Sequence, residues 1–297
     1  MASSKDTQDT IIKKYHKNSL TPFELDITQS LHYQKANGKL LVFQLLETNA
    51  KVLSTTLQKL KVPERDAVTI IEFSCKIIIN ENEYELTRVF PKQESFYEPW
   101  EIEGILIWFD AVKKLDELLL ESHGKCFPDK DARFAIQDVG YSICPEKIHA
   151  WCPLPEGTLK IEDCYRGEDC WMGPYDGADA HGGLDINHPI GTPLHVPFDL
   201  DDQFYFNSVA MGNNNNRWRG IRRWENGSEW IIHSNHLAEL LVEERTPLKR
   251  GHHYAKTAGV WVGKHEHTHF NFNIHEDGET FLLDPWILFW QMYQDQN

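Results

Sequence analysis

Eleven of the fifteen histidines lie at or after position 181, and two stretches among them have spacings that suit a metal ion. In His181-Gly182-Gly183-Leu184-Asp185, the glycines let the backbone turn tightly. An imidazole and a carboxylate four residues apart can then face one centre, and zinc accepts both at about 2.0 to 2.2 Å. From Lys264 to Ile274, His265, His267, His269, Asn271 and Asn273 alternate with Glu266, Thr268, Phe270, Phe272 and Ile274. Period two predicts a strand with the histidines on one face and Phe270, Phe272 and Ile274 packed into a core on the other. Same-face neighbours stand about 6.5 to 7 Å apart, so one imidazole can hold an ion while the next addresses a water or substrate beside it. The spacing also allows a polar strand face whose histidines bind nothing. His236, within Trp230 to Leu241, reads on its own as a strand-end histidine beside core residues.

His265-Glu266-His267-Thr268-His269 also satisfies H-E-x-x-H. That signature works on a helix, where its two histidines share a face and the intervening Glu serves as general base. On a strand Glu266 points away from both outer histidines, and the glycines at 259 and 263 together with the alternation up to Ile274 favour the strand. A zincin-type peptidase using His265 and His269 is the alternative reading.

The elements that must position these residues fall into two groups, divided near residue 145. Residues 146–297 show short strand-like runs separated by turn residues, with no long helix before the C-terminal tail, and read as an all-β domain. Residues 1–145 read as an α+β domain of unnamed role. Within it, Ala67 to Phe90 has two β-rich runs around Asn80-Glu81-Asn82-Glu83, which predicts a hairpin. From Glu101 to Glu121, Ile102, Ile105, Phe109, Val112, Leu115 and Leu119 recur at helical spacing, with Gly124 as a stop, which predicts an amphipathic helix. Between 125 and 180 the texture is Pro, Gly, Cys and Trp, a loop-rich junction.

A formal charge of -15 leaves no basic stripe for phosphate binding, so nucleic acid is excluded as a partner. Arg217 to Arg223, with four arginines around Trp218, reads as a solvated loop. No stretch reaches the roughly 18 apolar residues of a membrane span, and the N-terminus lacks the apolar core of a signal peptide. An extracellular or cell-envelope location would therefore require a leader already removed. Five of the six cysteines lie between 126 and 170 without a C-x-x-C pair, and disulfides among them are compatible with that spacing.

In order, HGGLD from His181, GTPLHVP from Gly191, His236-Leu237, His267-Thr268-His269-Phe270 and Asp284-Pro285 make the C-terminal half resemble the lysostaphin (LytM)-type zinc metallopeptidases. The resemblance spans roughly residues 150 to 290. It implies a β-sandwich in which His181, Asp185 and His269 bind one Zn²⁺, with a fourth position left for water. It also implies that His236 and His267 flank that water as catalytic residues, and that the protein is a metalloendopeptidase cleaving peptide bonds in peptidoglycan cross-links or Gly-rich peptides. A non-catalytic binding module of the same fold is the further alternative. Three departures stand out: no Gly-x-Arg element precedes His181, Asp201-Asp202 replaces the usual Asp-Gly, and Ser234-Asn235 replaces Tyr-Ala before the central histidine. They lie away from the proposed ligands and bear on substrate.

Overall fold

Strict alternation shapes the first part of the chain. In the strand Thr69–Ile79 every second residue is buried, so Ile71, Phe73, Cys75, Ile77 and Ile79 line one face, as a half-covered sheet requires. It pairs with Asn82–Phe90 across a two-residue turn at Asn80 and Glu81, both at positive φ, the hairpin geometry that matches strand twist. This hairpin, expected over 67–90, closes a five-stranded sheet whose spatial order is Ile11–Tyr15, Ser30–Gln34, Leu40–Thr55, Thr69–Ile79 and Asn82–Phe90. The computed structural model describes residues 11–209, 215–258 and 266–296.

The helix expected over 101–121 is absent. Trp100–Ile102 and Ile105–Val112 are antiparallel strands joined at Glu103 and Gly104, both at positive φ, and Lys113–Glu117 is a short 3-10 turn. Ile105–Val112 is covered on both faces, with only Leu106 short of full burial. A strand buried on both sides is apolar at consecutive positions, so a helical subset can be picked from it without any helix being present. With Thr21–Leu25 and Ala132–Asp138 these strands form a four-stranded sheet. Residues 11–145 are thus β rather than α+β, and among the described residues the one α-helix is C-terminal, Trp286–Gln296.

The second part of the chain builds an eight-stranded antiparallel sheet. Its main path runs Leu184–Asn187, His267–Glu276, Glu229–Leu240, Asn216–Arg223 and Asp202–Phe206. Pro193–His195, His253–Thr257 and Glu279–Leu283 attach to that path. Arg217–Arg223, expected as a loop, is inside a strand: Trp218 is fully buried while Arg217 and Arg223 face outward. The dense arginines hid a period of two. A three-stranded sheet joins the two parts, with Leu120–His123 running parallel to Asp179–His181.

One hydrophobic core continues through both parts, and buried charges bind them further. Arg88 donates to Asp284 at 2.8 Å, the Asp284 N–H donates to Asp110 at 2.7 Å, and Arg133 pairs with Asp110 at 2.6 Å. Breaking one partner of such a buried pair costs about 3–5 kcal/mol. Asp284 also accepts the Trp286 N–H at 2.9 Å, and with Pro285 following it caps the C-terminal helix. All six cysteines are buried and unpaired. No helix of the described residues is long and apolar enough to cross a membrane.

Candidate metal centre

Strand register brings the distant sequence elements together. Leu184–Asn187 lies antiparallel to His267–Glu276 with Asp185 opposite His269, and His181 ends the adjacent strand Asp179–His181. His269 Nδ1 lies 2.6 Å from Asp185 Oδ1, His181 Nε2 lies 3.3 Å from the same oxygen, and the two ring nitrogens are 3.0 Å apart. His181 and Asp185 are buried, at 3% and 4% exposure, and His269 is half-buried.

Hydrogen bonds on the far side of each ring fix which nitrogen faces the centre. His181 Nδ1–H donates to the Cys170 carbonyl at 3.2 Å. His269 Nε2–H donates to Asn271 Oδ1 at 3.0 Å, and Asn271 in turn donates through Nδ2 to the Gly182 carbonyl. With those protons assigned outward, three lone pairs converge: His181 Nε2, His269 Nδ1 and an Asp185 oxygen. Without a metal, ring protons shared with Asp185 offset the repulsion among these groups; with an ion bound, the lone pairs would face it. Burial opposes charge on His181, yet the Asp185 carboxylate raises its pKa to about 9. Against its own burial, Asp185 is held well below the usual carboxylate range by His181 and His269. The donor set, two imidazoles and a carboxylate, is that of a three-ligand catalytic zinc site. Tetrahedral ligands of zinc stand about 3.3 to 3.5 Å apart, so His269 Nδ1 and Asp185 Oδ1, the closest pair, need to spread by about 0.7–0.9 Å to fit the ion.

His236 and His267 sit beside this cluster. His267 Nε2 lies 3.3 Å from the other Asp185 oxygen, its ring stacks on Tyr165 at 4.0 Å between centroids, and the His236 ring is 4.6 Å from it. His236 has φ of 65°, a conformation unusual for a residue with a side chain and common at functional positions. Its Nδ1 approaches Asn215 Oδ1 at 2.7 Å. Burial, with His267 nearby, lowers its pKa to about 3. All five residues named from the sequence therefore line one cavity of about 480 Å³. The helix needed for the H-E-x-x-H reading is not there: His267–Glu276 is a strand, and His265 lies outside the described residues.

Several cavity residues escaped the sequence reading. Ser122 and His123 come from the N-terminal part, delivered by the parallel pairing of His123 with His181; nothing in their local sequence announces this. Tyr165 and Asp169 come from the Cys/Trp/Gly-rich junction, and Asp169 is pushed up to about 8 by burial, with Asp185 and Glu168 nearby. Asn271 was legible, because it continues the alternation of His267 and His269. A second cavity of about 540 Å³ adjoins the first, sharing Gly124 and Asn271.

The two glycines after His181 are required by close approach rather than by turn geometry. A Cβ at Gly183 would stand 2.7 Å from both His269 Nε2 and the Phe270 carbonyl oxygen, and one at Gly182 would stand 2.6 Å from the His123 carbonyl oxygen. Gly183→Ala should therefore displace the His269 ring. The expected result is roughly a tenfold or greater loss of zinc affinity in chelator competition, with about 1–3 kcal/mol lost in urea unfolding. Unchanged affinity would mean that the ring does not serve the ion from this position.

No protein-family model matches the chain, and no curated protein does. Among solved structures it is similar to the antimicrobial peptidase lysostaphin from Staphylococcus simulans, at 19% identity and a TM-score of 0.32 over 50% of this chain and 51% of that one. It is also similar to a putative peptidase M23 from Pseudomonas aeruginosa, at 13% identity and a TM-score of 0.32 over 83% of this chain and 92% of that one. A zinc-containing peptidase from Vibrio cholerae aligns at 12% identity and a TM-score of 0.32, over 89% of this chain and 83% of that one. The chain thus spans about half the length of lysostaphin. Likenesses at these scores carry no weight for the activity, which is argued from the site.

Proposed function

We propose that the chain is a zinc metalloendopeptidase, with His181, Asp185 and His269 as the ligands of one zinc ion and with His236 and His267 as catalytic residues. The observation that carries this is the convergence of His181 Nε2, His269 Nδ1 and Asp185 Oδ1, with the other nitrogen of each ring hydrogen-bonded on its far side. A zinc ion held there supplies Lewis acidity, polarising a peptide carbonyl and making water acidic enough to lose a proton near neutral pH. His236 and His267 face the same cavity as neighbouring rings. One can take the proton of the attacking water and pass it to the departing amine, while the other donates to the oxyanion that forms at the carbonyl carbon. No carboxylate base is required.

The two adjoining cavities, which share Gly124 and Asn271, make a groove of mixed polar and apolar lining along the histidine face of His267–Glu276. An extended chain with many backbone amides suits such a groove better than a compact ligand does. Peptidoglycan cross-links and Gly-rich peptides are the substrates to which the sequence resemblance points. The test is incubation of the zinc-loaded protein with purified peptidoglycan and with pentaglycine, counting new amino termini. Release that a chelator abolishes and zinc restores is the expected result. Absence of release from both substrates, and from a general peptide library, would contradict the peptidase reading.

A further inference from the structure

Asp169 lines the cavity that holds His181, Asp185 and His269, yet it is 1% exposed and its Oδ1 is buried without a hydrogen-bond partner. The segment carrying it frames two of the proposed ligands. The Asp169 carbonyl accepts the Asp185 N–H at 2.9 Å, and the next carbonyl, that of Cys170, accepts from His181 Nδ1–H at 3.2 Å. Both of these are main-chain contacts, and they leave the Asp169 side chain unused.

The charged groups around that side chain are His181, Asp185, Glu168 and Arg166. Arg166 is already shared among Asp66, Glu168 and Asp176. Among the described residues nothing pairs with Asp169. Burying a carboxylate without a partner is costly, and such groups are ordinarily paired or turned toward a metal. With a dication bound by His181, Asp185 and His269, the carboxylates of Asp169 and Asp185 would together offset its two charges. Asp169 is not in the group of ligand atoms lying within 4.8 Å of one another, which is confined to His181, Asp185 and His269. Direct ligation alongside those three is therefore not its role.

We propose that Asp169 is a positioning residue of the metal centre: an outer carboxylate that faces the ion across the cavity, offsets its charge together with Asp185, and is left unpaired in the protein for that purpose. This rests on the zinc reading above. It predicts a trade between metal binding and stability that a structural aspartate would not show. Asp169→Asn keeps the shape and both main-chain contacts while removing the charge.

The experiment measures zinc affinity by competition with a chromophoric chelator, and thermal unfolding of the metal-free protein, for wild type, Asp169→Asn and Glu168→Gln. The expected result is a 10- to 100-fold loss of affinity in Asp169→Asn, the range typical of outer-shell partners. Its metal-free Tm should be equal to or above that of wild type, and Glu168→Gln should bind zinc within about twofold of wild type. Unchanged affinity in Asp169→Asn overturns the proposal. So does a lowered metal-free Tm or failure to fold, since either would make Asp169 a structural residue. An equal loss in Glu168→Gln also overturns it, because the effect would then be general charge rather than this side chain. Failure of the wild type itself to bind zinc would instead remove the underlying reading, so the two failures are distinguishable.

Discussion

Asp185→Ala and His269→Ala are each expected to reduce the zinc content of the purified protein from about one ion per chain to near zero, with peptide hydrolysis falling to background. Each would remove one of the three proposed protein ligands, and Asp185 has further contacts. Its Oδ1 faces both His181 Nε2 and His269 Nδ1, and its Oδ2 faces His267. Losing it leaves the imidazoles facing one another with no negative charge between them, so the remaining pair is poorly suited to a cation. His269→Ala additionally frees Asn271, whose amide otherwise links the ring to the Gly182 carbonyl. Metal content by elemental analysis, with circular dichroism to confirm folding, reads the outcome. Full zinc occupancy in folded Asp185→Ala would place the ion elsewhere.

His236→Ala and His267→Ala are expected to behave differently: zinc is retained while kcat/KM falls by about 10²- to 10⁴-fold, the usual contribution of a positioned acid or base. That is about 3–5 kcal/mol of transition-state stabilisation. Neither residue belongs to the group of converging ligand atoms, yet both rings line the cavity and lie 4.6 Å apart between centroids. The double variant should lose little more than the worse single one if the rings act as a unit, since effects of cooperating residues are not additive. Glu266→Gln serves as the control. A general base at Glu266 would make it as damaging as either histidine variant, whereas here it should leave the rate unchanged. Rates equal to wild type in His236→Ala and His267→Ala would remove both from the mechanism.

The convergence of the candidate site residues was more legible in the sequence than the scaffold around them, for a physical reason. The alternation from His267 to Ile274 encodes a strand with one chemical face and one core face, and the structure has that strand, with Phe270, Phe272 and Ile274 buried. The glycines after His181 likewise mark close approach, although the cause is crowding by His269 and His123 rather than a tight turn. What failed was the reading of strands whose pattern is masked. Ile105–Val112 is apolar at nearly every position because both faces are covered, and a continuous run is compatible with either periodicity. Glu103 and Gly104, at the turn just before it, were the signal that could have decided the matter. In Asn216–Arg223 the arginines drew attention away from the alternation that buries Trp218. His123 and Asp169 were not legible at all. They reach the cavity through pairing with distant segments, His123 across 58 positions to His181 and Asp169 through its carbonyl to the Asp185 N–H. Such convergence belongs to the fold and leaves no mark on local sequence.

X-ray absorption at the zinc edge of the purified wild-type protein, loaded with one equivalent of zinc, tests the central claim most directly. The expected spectrum has two imidazole nitrogens at about 2.0–2.1 Å and oxygen scatterers at about 2.0–2.2 Å, four ligands in all and no sulfur. His269→Ala, which is not expected to retain the ion, should give only the spectrum of hydrated zinc. For the wild type, a sulfur shell at about 2.3 Å, a spectrum of hydrated zinc without imidazole, or failure of the protein to retain the ion would contradict a centre built from His181, Asp185 and His269.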